Sequence, residues 1–143
     1  MMMEEMKLVL RRVKIKATPK QIAIFSEIAN SLKPLEACQL HRIVSRRIAI
    51  DLATVYRTLT LFKVKGIVRE VADKSGVIYY EIIDADNSVH PHFKCVKCDE
   101  YSCLRTLAPE ESQYLTYLAK ECIVSGIEIT LSGVCEKCQE REE

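Results

Sequence analysis

No stretch of this sequence approaches the roughly 18 consecutive apolar residues that a membrane-spanning helix requires. The opening segment, MMMEEMKLVLRR, is too charged for a secretory leader. A membrane or secreted protein is therefore not expected. Internal repeats, low-complexity tracts and Gly/Ser linkers are also missing, so organisation must be read from local periodicity. Histidine is scarce, with three in all. What remains is an ordinary globular balance of 143 residues, 48% hydrophobic and 29% charged, with no sign of wholesale disorder. That length suits one domain or two small ones. It buries roughly two thirds of the unfolded surface, so the chain need not depend on staples to fold.

The net charge of +1 conceals a division. Residues 1–80 carry 15 Lys/Arg against 7 Asp/Glu, whereas residues 81–143 carry 6 against 13. A basic half suits a polyanion and an acidic half some other partner, although solvated helix faces alone produce the same tally. Seven cysteines, an odd number, argue against a complete disulfide framework. The expected compartment is the reducing cytoplasm, where paired cysteines hold metal more often than they form disulfides.

Thr18-Pro19 reads as a helix N-cap followed by proline at the first helical position. Behind it Ile22, Phe25, Ile28, Ala29 and Leu32 recur at helical spacing, which predicts a helix over 19–32, broken by Lys33-Pro34. A second helix is expected over 35–48, with Leu40, Ile43 and Val44 inward, and a third over 52–65, capped by Asp51 and closed by Gly66. The period then changes. IVREVA (67–72) and VIYYEII (77–83) are β-rich runs joined by the turn Asp73-Lys74-Ser75-Gly76. Three helices and a hairpin in the basic half form the pattern of a winged helix-turn-helix. The polar stretch 84–88 reads as a hinge between a domain at 1–84 and another at 85–143. Short strands near 91–96 and 101–105, a helix near 109–123 and a strand near 126–132 make the second half, and the chain as a whole, α+β.

In the third helix Leu52, Val55, Leu59 and Phe62 form one stripe that must face the core. At about 100° per residue, Arg57 points away from that stripe, with Ala53, Thr54 and Thr60 beside it and Tyr56 on the flank. An arginine bonds a guanine edge bidentately in the major groove, and a tyrosine ring packs on a thymine methyl. Lys14, Lys16, Lys20, Arg46, Arg47, Lys63 and Lys65 are candidates for phosphate contacts. The alternative is a solvated helix that is structural or binds a protein partner.

Cys95-x-x-Cys98 and Cys135-x-x-Cys138 supply four thiolates, the number a closed tetrahedral zinc site needs. Such a clamp contributes on the order of 10 kcal/mol to folding. Thioredoxin-like redox chemistry is the alternative. It requires a Cys-x-x-Cys opening a helix within a βαβ unit, and neither pair is expected there. His90 and His92, two apart on a strand, share one face and reach a single ion. Glu81 lies across the hinge from them, and two histidines with a carboxylate suit Fe²⁺, Mn²⁺ or Zn²⁺. They are otherwise two surface histidines. His41, on the second helix, reads as plain surface.

From about residue 14 to 139 the chain resembles the ferric uptake regulator family of metal-dependent repressors. Ala53-Thr54-Val55-Tyr56-Arg57-Thr58-Leu59 is similar to its recognition-helix signature, and His90-Pro91-His92-Phe93-Lys94-Cys95-Val96-Lys97-Cys98 to its His-x-His-x-x-Cys-x-x-Cys segment. Gly133-Val134-Cys135-Glu136-Lys137-Cys138 resembles its closing pair. The resemblance implies a homodimer bound to a palindromic double-stranded operator, each subunit with an N-terminal winged helix and a C-terminal α/β dimerisation domain. It implies structural zinc at Cys95, Cys98, Cys135 and Cys138, and a second divalent metal at a hinge site to which Glu81, His90 and His92 belong. Metal then binds the closed state better and shifts the population toward it. It implies a regulator and no enzyme. The competing readings are a peroxide sensor of the same family, a metal-independent winged-helix repressor or adaptor, and a thiol redox enzyme.

The chain departs from the family at several positions. Lys33 stands where a helix histidine normally joins the regulatory site, and Cys103 where a carboxylate follows the first cysteine pair. Val89, Pro91 and Ile127 replace the ligands of an additional site, and Lys20-Gln21 follows Thr18-Pro19 in place of Gln-Arg. Cys103 is either a substitute ligand that favours zinc or a packed thiol. Cys38 and Cys122 receive no role from the sequence. If the Lys33 ammonium stands in for a cation, Lys33→His restores metal dependence to DNA binding. A metal response unchanged between Lys33→His and the parent in a binding titration removes that idea.

Overall fold

The computed structural model describes residues 2–73, 75–83 and 90–141. Lys74 of the hairpin turn, the expected hinge at 84–88 and Val89 lie outside them. The chain forms two compact units, Met1–Ile83 and Asp84–Glu143.

The first unit contains α1 (Met3–Arg12), α2 (Pro19–Ala29), α3 (Ala37–Val44), α4 (Leu52–Val64), β1 (Val68–Ala72) and β2 (Ile78–Ile82). Helix α1 has no counterpart in the sequence reading, where its charge hid its amphipathicity. It buries Met6 and Leu10 and exposes Glu4, Glu5, Arg11 and Arg12 at its two ends. In α2 the Thr18 hydroxyl accepts from the Gln21 amide at 3.3 Å while the Gln21 side chain accepts from the Thr18 amide, a reciprocal cap. The helix ends at Ala29, three residues before the expected stop, and Leu32 is 95% exposed. Helix α3 is likewise shorter than expected. Gln39 caps the Glu36 amide at 2.8 Å, and beyond Val44 the chain turns.

Helix α4 buries Val55, Thr58, Leu59 and Phe62, so Thr58 takes the place in the stripe expected of Leu52, which is half-buried. Its end is fixed by Gly66 at φ 76°. That left-handed conformation lets the Ile67 amide reach the Phe62 carbonyl and the Gly66 amide the Lys63 carbonyl, both at 3.1 Å. The chain is thereby turned into the β1–β2 hairpin, paired antiparallel from Val68↔Ile82 to Ala72↔Ile78. Leu35, just before α3, adds a bridge to Tyr80. Phe25 and Phe62 meet edge to face at 5.7 Å inside the core, with Leu10, Ile24, Leu40, Val44 and Val55 around them.

The second unit contains β3 (His92–Cys95), β4 (Tyr101–Cys103), α5 (Pro109–Leu118), β5 (Thr130–Gly133) and α6 (Glu136–Arg141). Its sheet has the order β4-β3-β5, antiparallel on one side of β3 and parallel on the other. The strand expected near 126–132 starts only at Thr130, and α6 was not anticipated. Phe62→Ala should cost about 3–5 kcal/mol, because it leaves a cavity between α2 and α4. Urea denaturation monitored by circular dichroism measures that loss.

Candidate functional site

The face of α4 opposite its buried stripe carries the residues expected to read nucleic acid. Tyr56 is 47% exposed, Arg57 is exposed and Thr54 is half-buried. The Asp51 carboxylate accepts from the Thr54 amide at 2.7 Å and caps the helix. Hydrogen bonding with the Thr54 side chain first, and this amide bond second, hold the Asp51 carboxyl below its ordinary range, ahead of the nearby cations Arg57 and Lys20. Arg57 Nη2 donates to Thr54 Oγ1 at 2.9 Å, so the guanidinium is held against its own helix. Lys14, Lys16, Lys20, Arg46 and Lys65 are exposed cations of this unit. Lys63 and Arg47 instead pair with carboxylates, Glu70 at 2.8 Å and Glu27 at 3.0 Å.

His41 is not plain surface. Its ring is half-buried and its Nε2 lies 3.0 Å from the Ile50 carbonyl, on the loop that launches α4. No sequence pattern marks such a contact, because it spans the turn between two helices.

In the second unit the four paired cysteines come together. Cys95 ends β3, Cys98 closes the following turn, Cys135 precedes α6 and Cys138 sits in it. The second pair therefore opens a helix, but no strand follows α6 among the described residues, so neither pair opens the helix of a βαβ unit. The two pairs face each other, however. Cys95 Sγ lies 3.8 Å from Cys138 Sγ, and Cys98 Sγ lies 3.8 Å from Cys135 Sγ. All four sulfurs fall within 4.8 Å of one another. A zinc tetrahedron with bonds of about 2.3 Å has edges of about 3.8 Å, so the cluster has the dimensions of the ion.

Amides of Lys97, Cys98 and Cys135 donate to Cys95 Sγ at 3.4, 3.5 and 3.4 Å. The bond from Cys135 contributes most to lowering the Cys95 pKa to about 6, which favours the thiolate form of this sulfur. Contact with Cys135 and burial push the Cys138 thiol up to about 12. A second thiolate in so tight a cluster is unfavourable until a dication arrives.

A second group of donors lies on β3 and β4. His92 pairs with Cys103 across the sheet, and the ligand atoms of His90, His92 and Cys103 fall within 4.8 Å of one another. The buried His92 ring stacks on Tyr101 at 5.1 Å and meets His90 edge-on at 4.6 Å. Two imidazoles and a thiol suit a borderline-soft dication. Glu81 belongs to the first unit, on β2 opposite Arg69. Its carboxylate is buried and accepts from Arg69 Nε at 2.6 Å. Cys38 and Cys122 are exposed.

A winged helix-turn-helix followed by a small α+β unit with a four-cysteine cluster defines a class of DNA-binding regulators. The family model "Ferric uptake regulator family" matches residues 12–130. A ferric uptake regulation protein of Bordetella parapertussis is 29% identical over 132 residues, covering 91% of this chain and 94% of its own. The solved ferric uptake regulator of Helicobacter pylori shares the fold with a TM-score of 0.78 at 17% identity, across 100% of this chain and 97% of that one. A zinc uptake regulator solved in complex with zinc and DNA has a TM-score of 0.68 at 17% identity, across 98% and 94%. The chain belongs to the ferric uptake regulator family and is a transcription regulator, not an enzyme. Among the described residues no helix is long and apolar enough to cross a membrane.

Cys138→Ser should remove one equivalent of zinc and lower the melting temperature of the isolated protein. Acidification should release the same zinc, because protons compete for thiolates that the ion must hold. Zinc release followed with a chromogenic chelator across a pH series measures both effects.

Proposed function

We propose that this protein is a cytoplasmic, homodimeric repressor that reads a palindromic operator through α4 and is governed by zinc. Arg57 and Tyr56 carry the assignment. They stand on the solvent face of the second helix of a helix-turn-helix, where a major groove is read. Thr54 joins them, and Lys14 and Lys20 bind phosphate. Structural zinc occupies Cys95, Cys98, Cys135 and Cys138.

The second metal is held by His90, His92 and Cys103, with Glu81 as carboxylate. A thiol in place of the family's second carboxylate makes this set softer than Fe²⁺ or Mn²⁺ prefers, and zinc is the ion it favours. The solved relative that carries both zinc and DNA supports that choice. Dimerisation uses α5, which buries none of its ten residues and exposes Tyr114, Tyr117 and Leu118. A patch of that kind on a soluble domain marks a protein interface.

Operator affinity measured at fixed salt with and without Zn²⁺, Mn²⁺ or anaerobic Fe²⁺ tests the regulation. Zinc should strengthen binding at least tenfold, about 1.4 kcal/mol of coupling. A larger gain with iron or manganese assigns a harder ligand set, and no gain with any ion leaves a metal-independent repressor. In the same assay Arg57→Ala should cost about 1–3 kcal/mol of operator binding.

A further inference from the structure

A base-reading arginine is useful only if its guanidinium arrives at the groove already aimed. The side chain has many rotamers, and ordering it on binding subtracts from affinity. Here the guanidinium ends a series of three hydrogen bonds, joined through covalent links within Thr54 and between Asp51 and Ile50, that begins one helix away. Arg57 Nη2 donates to Thr54 Oγ1 at 2.9 Å, and the Thr54 amide donates to Asp51 Oδ1 at 2.7 Å. Asp51 follows Ile50, whose carbonyl lies 3.0 Å from His41 Nε2 on α3. A carbonyl only accepts, so that ring nitrogen carries the proton.

The intervening loop is otherwise tied to α3 near its start, where the Arg47 and Ile48 amides return to the Val44 carbonyl at 3.0 and 3.1 Å. The His41 bond holds its far end, at the peptide that sets the direction of the Asp51 cap. Ile48 and Ile50 pack against the core beneath it.

We propose that His41 is a positioning residue for DNA reading, one that touches no base and aims Arg57 through Ile50, Asp51 and Thr54. This rests on Arg57 being the base reader. Bidentate recognition of a base edge depends steeply on orientation, whereas contacts to the phosphate backbone tolerate small rotations of the helix. Loss of the relay therefore lowers discrimination between sequences and leaves backbone binding as it was. A general loss of stability instead weakens binding to every duplex.

The test uses the full zinc-loaded protein, a duplex selected by the parent protein from a random library, and a scrambled duplex of the same composition. His41→Ala should lower the selected-to-scrambled affinity ratio about tenfold, with scrambled-duplex affinity and its salt slope unchanged. His41→Gln places an amide N–H near the position of Nε2 and should restore the ratio. His41→Phe, which keeps a ring at this half-buried position and removes the N–H, should reproduce the loss with the fold intact. The proposal is overturned if His41→Ala and His41→Phe keep the parental ratio, or if both duplexes weaken together in both variants. Arg57→Ala separates the two levels. A ratio unchanged by that variant defeats the assignment of Arg57 as reader. A ratio lowered by Arg57→Ala but untouched by His41→Ala and His41→Phe defeats the relay alone.

Discussion

The second unit has almost no apolar interior. Among its described residues the buried ones are His92, Cys95, Tyr101 and Cys138, and the apolar core cluster lies wholly within the first unit. A small sheet with one helix that buries nothing cannot repay its conformational entropy by hydrophobic contact alone. Four sulfurs gathered within 4.8 Å are a candidate metal site, at a spacing in which more than one thiolate is unfavourable without a cation. A dication held there would do for this unit what Phe25 and Phe62 do for the other. It would also tie β3 to β5, since the cysteines stand at the ends of those two parallel strands.

The first unit follows ordinary rules of packing and capping, and its use in recognition follows from them. Burying Val55, Thr58, Leu59 and Phe62 leaves Tyr56 and Arg57 no direction but outward. The Gly66 turn then sends the chain directly into the hairpin, so helix and wing are built from one continuous stretch. Thr58 inside the stripe shows that a short polar side chain can satisfy an apolar position on a helix.

Much of this was legible in the sequence because it is local. Thr18-Pro19, Asp51 and Gly66 each mark a helix end by a property of one residue or two, and those boundaries stand at or within a residue of where they were expected. The gathering of Cys95, Cys98, Cys135 and Cys138 was legible because Cys-x-x-Cys is a spacing rule. What escaped is non-local or disguised. Helix α1 carries so much charge that its two buried residues, Met6 and Leu10, gave no clear period. Leu32 looked like a core residue, but the helix stops first. His41 reaches nine residues along the chain to Ile50, a contact that no periodicity encodes.

The pairing of Arg69 with Glu81 has a consequence for the wing hairpin. At 2.6 Å from a guanidinium, this buried carboxylate already has a counter-ion supplied by the neighbouring strand. The wing hairpin therefore carries a charge inside it without carrying a naked one. Truncating Arg69 alone would take this counter-ion from a buried carboxylate, and the cost would fall on the pairing of β1 with β2. The wing is then held in register partly by an ion pair, and not only by its backbone ladder.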